Sequence, residues 1–153
     1  MPKMWMLIGV PGSGKSTYRH TLPADATVLS TDDRIDAAAA SVGKTYNDVF
    51  RDSIAQAEKD MYQAAMQAFA RGDDVIWDQT NLTKKTRAKK LIMVPDEYQK
   101  IAVYFPTPDS DELKRRLDSR AGKTIPANIL MGMASQLQPP TKDEGFDDVR
   151  VAR

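Results

Sequence analysis

The sequence predicts an α/β domain: a mostly parallel sheet of about five strands, with helices on both faces and a basic lid. Three observations predict it. Short apolar runs alternate with helix-period segments along the chain, the pattern of parallel strands joined through helices. A glycine-rich segment, Gly9 to Gly14, stands between the first apolar run and the first helical segment. Acidic residues follow the second and third apolar runs, at Asp32, Asp33 and Asp78. Sheets of this kind bind ligands at that edge, outside the carboxyl ends of their strands.

The elements follow in order. Met4 to Ile8 reads as a buried strand, and a helix is expected from Lys15 to just before Pro23. Thr27 to Ser30 reads as a second strand and Asp33 to Ala40 as a short alanine-rich helix stopped by Gly43. Thr45 and Asp48 have the spacing of a capping box, in which side chain and backbone at a helix start satisfy each other. The helix it opens carries Phe50, Ile54, Ala57, Met61, Ala65 and Ala68 at steps of three and four, one apolar stripe, and Gly72 ends it. Val75 to Trp77 is the third strand, Thr83 to Met93 a helix, Ile101 to Phe105 the fourth strand and Asp109 to Ser119 another helix. Pro126 opens a further helix that Pro139 and Pro140 end, and Val149 to Val151 reads as the last strand.

Composition bounds the function. The 153 residues, 41% hydrophobic and 28% charged, suit a single globular domain spanning 1–153. With no cysteine and one histidine, His20, disulfides, thiolate metal sites and paired-histidine catalysis are excluded. A fold that needs no disulfide fits the cytoplasm, which is the host cytoplasm if the gene is a phage's. The net charge of +1 argues against a long nucleic-acid groove but is compatible with gripping one strand end. No apolar run reaches the length of a membrane span, and the run after Lys3 is too short for a leader peptide and leads directly into the glycines. No motif speaks to oligomeric state.

Gly9-Val10-Pro11-Gly12-Ser13-Gly14-Lys15-Ser16 matches the Walker A pattern. Glycines let successive backbone N–H groups turn inward around phosphate oxygens. Lys15 is placed to reach the β- and γ-phosphates of a nucleotide, and the Ser16 hydroxyl suits magnesium. Gly9, Pro11, Gly12, Ser13, Gly14, Lys15, Ser16 and Thr17 are therefore the expected ATP-binding residues. Of the acidic residues at the strand ends, one carboxylate suits a base for an attacking hydroxyl and the other a magnesium ligand. Asp33 also has capping spacing from Ser30, a purely structural reading. Lys114, Arg115, Arg116, Arg120 and Lys123 form a basic run before Pro126, with Gly122 as a joint. Arginine forks suit phosphate oxygens, so Arg116 and Arg120 are expected on a lid closing over ATP, and Lys114 and Arg115 in solvent.

Taken together, GVPGSGKST (Gly9 to Thr17), STDDR (Ser30 to Arg34), WDQTN (Trp77 to Asn81), KRRLDSRAGKTIP (Lys114 to Pro126) and LQPPTKDEGFDDV (Leu137 to Val149) resemble the small P-loop kinases typified by the kinase domain of phage polynucleotide 5′-hydroxyl kinase. The resemblance spans nearly the whole chain and implies a P-loop NTPase/nucleoside-kinase-like fold using ATP and Mg2+. It implies that Asp32 is the general base, Lys15 and Ser16 the ATP and magnesium contacts, Asp78 the second acidic position, and Arg116 and Arg120 the catalytic lid arginines. Asp32, Arg34, Asp78 and Asn81 then form the acceptor side, with Asp78 also a metal ligand. There is one departure: the family often carries an arginine three residues after the base, where this chain has Ile35, and Arg34 comes one residue, about 100° of helix, too early. Arg51 or Lys44 is the candidate replacement. The accompanying phosphatase or ligase modules of some such kinases have no room in 153 residues.

The expected function is transfer of the γ-phosphoryl group of ATP to a 5′-hydroxyl end of DNA or RNA. A kinase of a nucleoside, sugar or other small hydroxyl compound, or of a hydroxymethylated base in DNA, fits the same Asp32 chemistry. From a different class, a nucleotide-dependent interaction module or toxin fits the phosphate loop alone.

Overall fold

A computed structural model describes residues 1–152; Arg153, the last residue of the expected domain, lies outside the described residues. Five strands, β1 (Lys3–Ile8), β2 (Thr27–Leu29), β3 (Val75–Asp78), β4 (Gln99–Tyr104) and β5 (Asp148–Val151), form one sheet in the order β2-β3-β1-β4-β5. Every pairing is parallel. Helices α1 (Lys15–Arg19), α2 (Thr31–Ser41), α3 (Tyr46–Arg71), α4 (Lys84–Leu91), α5 (Ser110–Asp118) and α6 (Ala127–Gln136) connect and flank the strands. No helix among the described residues is long and apolar enough to cross a membrane.

Alternation along β1 builds two cores. Met4, Met6 and Ile8 face one layer with Met61, Ala65, Ala68 and Phe69 of α3, joined by Trp77 and Tyr98. Trp5 and Leu7 face the other layer with Ile76, Ile101, Val103 and Phe105, against Tyr18, Leu22 and Ala26 from α1 and the turn after it. A third small cluster of Val10, Leu82 and Leu113 seats α5 and α6 beside the glycine loop.

Two expectations shift. The α3 stripe is buried from Ala57 onward, whereas Phe50 is 41% exposed, because the first turns of the 26-residue helix lie beside α2 rather than over the sheet. Asp32 belongs to the first turn of α2 rather than to the end of β2, because the Ser30 side chain caps that helix by accepting from the Asp33 N–H (3.1 Å). The Thr45–Asp48 capping box forms in both directions.

Two of the sequence motifs, WDQTN and LQPPTKDEGFDDV, turn out to hold the chain together. Asn81 is buried, with a φ of 49°, and its amide donates to the Leu7 carbonyl at 2.8 Å. Its side-chain oxygen accepts from the buried Lys90 ammonium, which also donates to Gln79 Oε1 (2.6 Å) and sits 5.5 Å from the centre of the Trp77 ring. Arg87, fully buried, forks onto Glu144 (2.8 and 3.1 Å) and donates to the Asn81 and Leu82 carbonyls. This clamp ties the turn after β3 to the segment after Pro140, and the pairing of a buried charge is what makes its burial tolerable.

Asn81→Ala is expected to lower unfolding stability by about 2–3 kcal/mol, since it strips a buried carbonyl and a buried ammonium of partners at a left-handed position. A loss below about 0.5 kcal/mol in urea unfolding contradicts the clamp. Burial pulls Lys90 from its ordinary 10.5 down to about 7, against the attraction of Glu58. The folded state then binds fewer protons than the unfolded state between those values, so this group's contribution is full above about 10.5 and is lost as pH falls through about 7. The stability of the wild type relative to Lys90→Met is therefore expected to rise from pH 7 to 10 in paired thermal melts; a flat difference refutes it.

Candidate active site

The glycine loop leaves the carboxyl end of β1, the central strand, and its geometry is set by side-chain size. Gly12 has a φ of 81°, and a Cβ there would meet Leu113 and Leu117 at 3.0–3.1 Å. The loop is closed by Ser13 N–H donating to the Val10 carbonyl (3.2 Å). Lys15 folds back over it, donating to the Gly9 (2.7 Å) and Val10 (3.1 Å) carbonyls. Burial pulls Lys15 down to about 8; Asp78 and Asp32 act to raise it and Arg120 lowers it further.

The loop opens into a cleft of about 1140 Å³, large for a small-molecule site. Pro11 to Thr17 line one part of it, Asp32, Asp33, Asp36 and Asp78 an acidic wall, and Arg116 and Arg120 a basic edge, with Lys123 paired to Asp36. Strand register explains the first juxtaposition: Leu7 pairs with Asp78, so the end of β3 stands beside the start of the loop. Burial raises the Asp78 carboxyl above its ordinary range, with Lys15 and Arg19 pulling it back.

Most of the expected residues come together here. Pro11, Gly12, Ser13, Gly14, Lys15, Ser16, Thr17, Asp32, Asp78, Arg116 and Arg120 all line the cleft. Gly9 does not; a Cβ there would meet Ser13 Oγ at 2.6 Å and Phe105 Cβ at 2.9 Å, so its role is close approach. Asn81 is corrected: its amide is spent on backbone carbonyls and Lys90, and it lies outside the cleft. Arg34 is corrected too, since helical rotation carries it away from the cleft wall, where its buried Nε has no hydrogen-bond partner. The proposed replacements Arg51 and Lys44 are exposed and also outside.

Sequence reasoning missed Arg19 and Tyr46, and the partner of Lys123. Arg19 donates to both Asp33 (3.0 Å) and Asp78 (2.9 Å), joining the first turn of α2 to the end of β3. Its only sequence signal was a place four residues after Lys15, one turn along the same helix. Lys123 pairs with Asp36 at 2.8 Å, and Tyr46 donates to Asp32 at 2.7 Å. Neither pairing has a local signature.

The residues fit a nucleoside triphosphate. Ser13 Oγ and Arg120 Nε are buried in the cleft wall without partners, two donors suited to phosphate oxygens. Arg116 donates to the Gly12 carbonyl (2.9 Å) and to Glu112 (2.8 Å), which holds its guanidinium at the loop. They also fit magnesium: Ser16 and Asp78 are hard oxygen donors in the same cleft. Among the described residues no three His, Cys, Asp or Glu side chains cluster to hold a metal alone, so phosphate oxygens and water would complete its shell, as magnesium prefers.

A phosphate loop at the end of a central parallel strand, an acidic wall and a basic edge define a P-loop kinase fold. The chain matches the AAA domain family AAA_33 over residues 4–140 and belongs to that family. In fold it is similar to a protein from Chloroflexus aurantiacus described as a kinase (19% identity, TM-score 0.72, covering 99% of this chain and 84% of that one). It is similar in the same way to a gluconokinase from Sinorhizobium meliloti (18%, TM-score 0.57, covering 98% and 81%). A chain of the Pnkp1/Rnl/Hen1 RNA repair complex also matches (22%, TM-score 0.66); 95% of this chain spans 46% of that one. No curated protein matches.

Arg120→Ala is expected to lower kcat/KM for ATP by about 10–100-fold, below the 10³–10⁵ of a lone arginine finger because Arg116 and Lys15 share the charge. Arg115 is 76% exposed and engaged with Glu112, so Arg115→Ala is expected to change it less than twofold. Equal effects in steady-state kinetics contradict the assignment of Arg120 to the cleft edge.

Proposed function

We propose that the protein is an ATP- and magnesium-dependent kinase whose acceptor is a hydroxyl of nucleic acid, first of all the 5′-hydroxyl of a DNA or RNA end. One observation carries the kinase reading: Lys15 of the glycine loop, the carboxylates Asp32 and Asp78, and the lid arginines Arg116 and Arg120 all line one cleft. Nucleotide phosphates belong on the loop and the basic edge, and the acceptor on the acidic wall.

In this reading Asp32 takes the proton of the acceptor hydroxyl as its oxygen forms a bond to the γ-phosphorus, and the bond from that phosphorus to the β,γ-bridging oxygen breaks. Lys15, Arg116 and Arg120 meet the charge on the transferring group, which is where phosphoryl-transfer enzymes act most. Ser16 and Asp78 would hold magnesium, whose charge offsets that of the β- and γ-phosphates. Arg19, bridging Asp33 and Asp78, keeps the acidic wall compact. The polynucleotide acceptor is supported by the order and spacing of the five motifs.

A second reading, a hydroxymethylated base in DNA or a small polyol, is favoured by charge. Among the described residues the acceptor wall carries Asp32, Asp33, Asp36 and Asp78, and the two cations bonded to it, Arg19 and Lys123, are already paired with its carboxylates. Neither of these cations is left free for an acceptor phosphate, so a neutral group bearing the hydroxyl suits this wall.

Radiolabelled ATP with 5′-hydroxyl DNA and RNA oligonucleotides, hydroxymethyluracil-containing DNA, nucleosides and sugars separates the readings. Label on the 5′ ends is expected; label confined to modified bases or sugars selects the second reading. Asp32→Asn is expected to lower kcat by about 10²–10⁴ with little change in ATP affinity. Wild-type turnover in that variant, or loss of ATP binding by calorimetry, rejects Asp32 as the base. Lys15→Ala is expected to abolish transfer in a folded protein.

A further inference from the structure

We infer that Tyr46 is a positioning residue for Asp32 and that it links this carboxylate to the seat of the lid. The inference rests on the reading of Asp32 as the base. Tyr46, the first residue of α3, is half-buried, and its hydroxyl donates to Asp32 Oδ1 at 2.7 Å. Among the described residues it is the only hydrogen-bond partner of that carboxylate. A carboxylate in the first turn of a helix rotates about its side-chain bonds unless something holds one oxygen. With Oδ1 on the phenol, Oδ2 is left for the acceptor. A base must stand within hydrogen-bond reach of the proton it takes, and small misplacements of reacting groups cost large factors in rate.

The same tyrosine is where the lid rests. Lys123, just past the lid arginines, places its ammonium 4.7 Å from the centre of the Tyr46 ring, an attractive cation–π distance, and 2.8 Å from Asp36. Phe50, one turn along α3, supports the ring at 5.6 Å between centroids. The residues on either side of Tyr46 complete the seat. Asn47 N–H donates to the Gly122 carbonyl (3.0 Å), and the Asn47 amide exchanges hydrogen bonds with Thr124 (2.6 and 3.3 Å). Gly122, at a φ of 71°, approaches Thr45 so closely that a Cβ would stand 2.5 Å from the Thr45 Cβ. Three consecutive residues, Thr45 to Asn47, thus receive the end of the lid, and the middle one holds the base.

The phenol and the ring make separable contributions. Tyr46→Phe keeps the ring, and so the lid seat, but releases Asp32. It is expected to lower kcat by about tenfold, less than the loss of the base itself, with KM for ATP unchanged. Tyr46→Leu removes the ring as well. It is expected to show the same kcat loss and, in the protein without substrates, faster hydrogen exchange at the Asn47 and Thr124 amides, by about tenfold, which Tyr46→Phe does not show. The kinetic probe is a 5′-hydroxyl DNA oligonucleotide, or the acceptor that takes label in the panel above. Asp32→Asn is run beside them. If Asp32→Asn turns over normally, the base reading has failed and this inference with it. If Asp32→Asn is inactive while Tyr46→Phe keeps wild-type kcat, the positioning role alone is refuted. Unchanged exchange in Tyr46→Leu refutes the link to the lid.

Discussion

The parallel pairing of β1 with β3 is the constraint on which the rest of the structure depends. Because Leu7 stands opposite Asp78, the chain leaving β1 into the glycine loop and the chain leaving β3 into its turn emerge side by side. The Gly9 N–H donates to the Thr80 carbonyl (3.0 Å), and the Asn81 amide reaches back to the Leu7 carbonyl. The Asn81 amide is therefore spent on the fold in this arrangement. It fastens two strand ends together at the point where the phosphate loop begins, and Lys90 and Arg87 fasten Asn81 and its turn from behind.

Charges of both signs line the cleft, and Lys15 is within reach of both, drawn by Asp78 and Asp32 and repelled by Arg120. Asp33, Asp36 and Asp78 are held by Arg19 and Lys123, whereas Arg116 and Arg120 make no ion pair with a carboxylate of the acidic wall. Burial makes the division consequential, since the same desolvation that pulls Lys15 down also pushes Asp78 up. In low dielectric each group's ionisation depends on its neighbours, and an incoming polyanion has one favourable wall. In the proposed reaction that asymmetry would seat the triphosphate at the basic edge and leave the acidic wall to the hydroxyl that gives up its proton.

The fold was largely legible in the chain. Each apolar run became a strand within two residues of its expected bounds, because apolar length and flanking glycines, prolines and caps are local properties. The phosphate loop was legible for the same reason: its chemistry lies in contiguous residues. Phe50 misled because helical periodicity marks a face but not how far along the helix that face is covered. WDQTN and LQPPTKDEGFDDV suggested a site, yet much of their content holds turns together, through Asn81 and Glu144.

The amino-acid sequence by itself determined the order of elements, the phosphate loop, the acidic clusters and the basic segment, since each is written in neighbouring residues. Only the tertiary structure decided which of them meet. Arg19 bridging Asp33 and Asp78, Lys123 reaching Asp36 across 87 positions, and Tyr46 holding Asp32 join residues from different elements. Such pairs depend on strand register and on the direction in which each helix leaves the sheet. Hydrogen bonds act over about 3 Å, and no local pattern encodes which distant residue arrives within that distance.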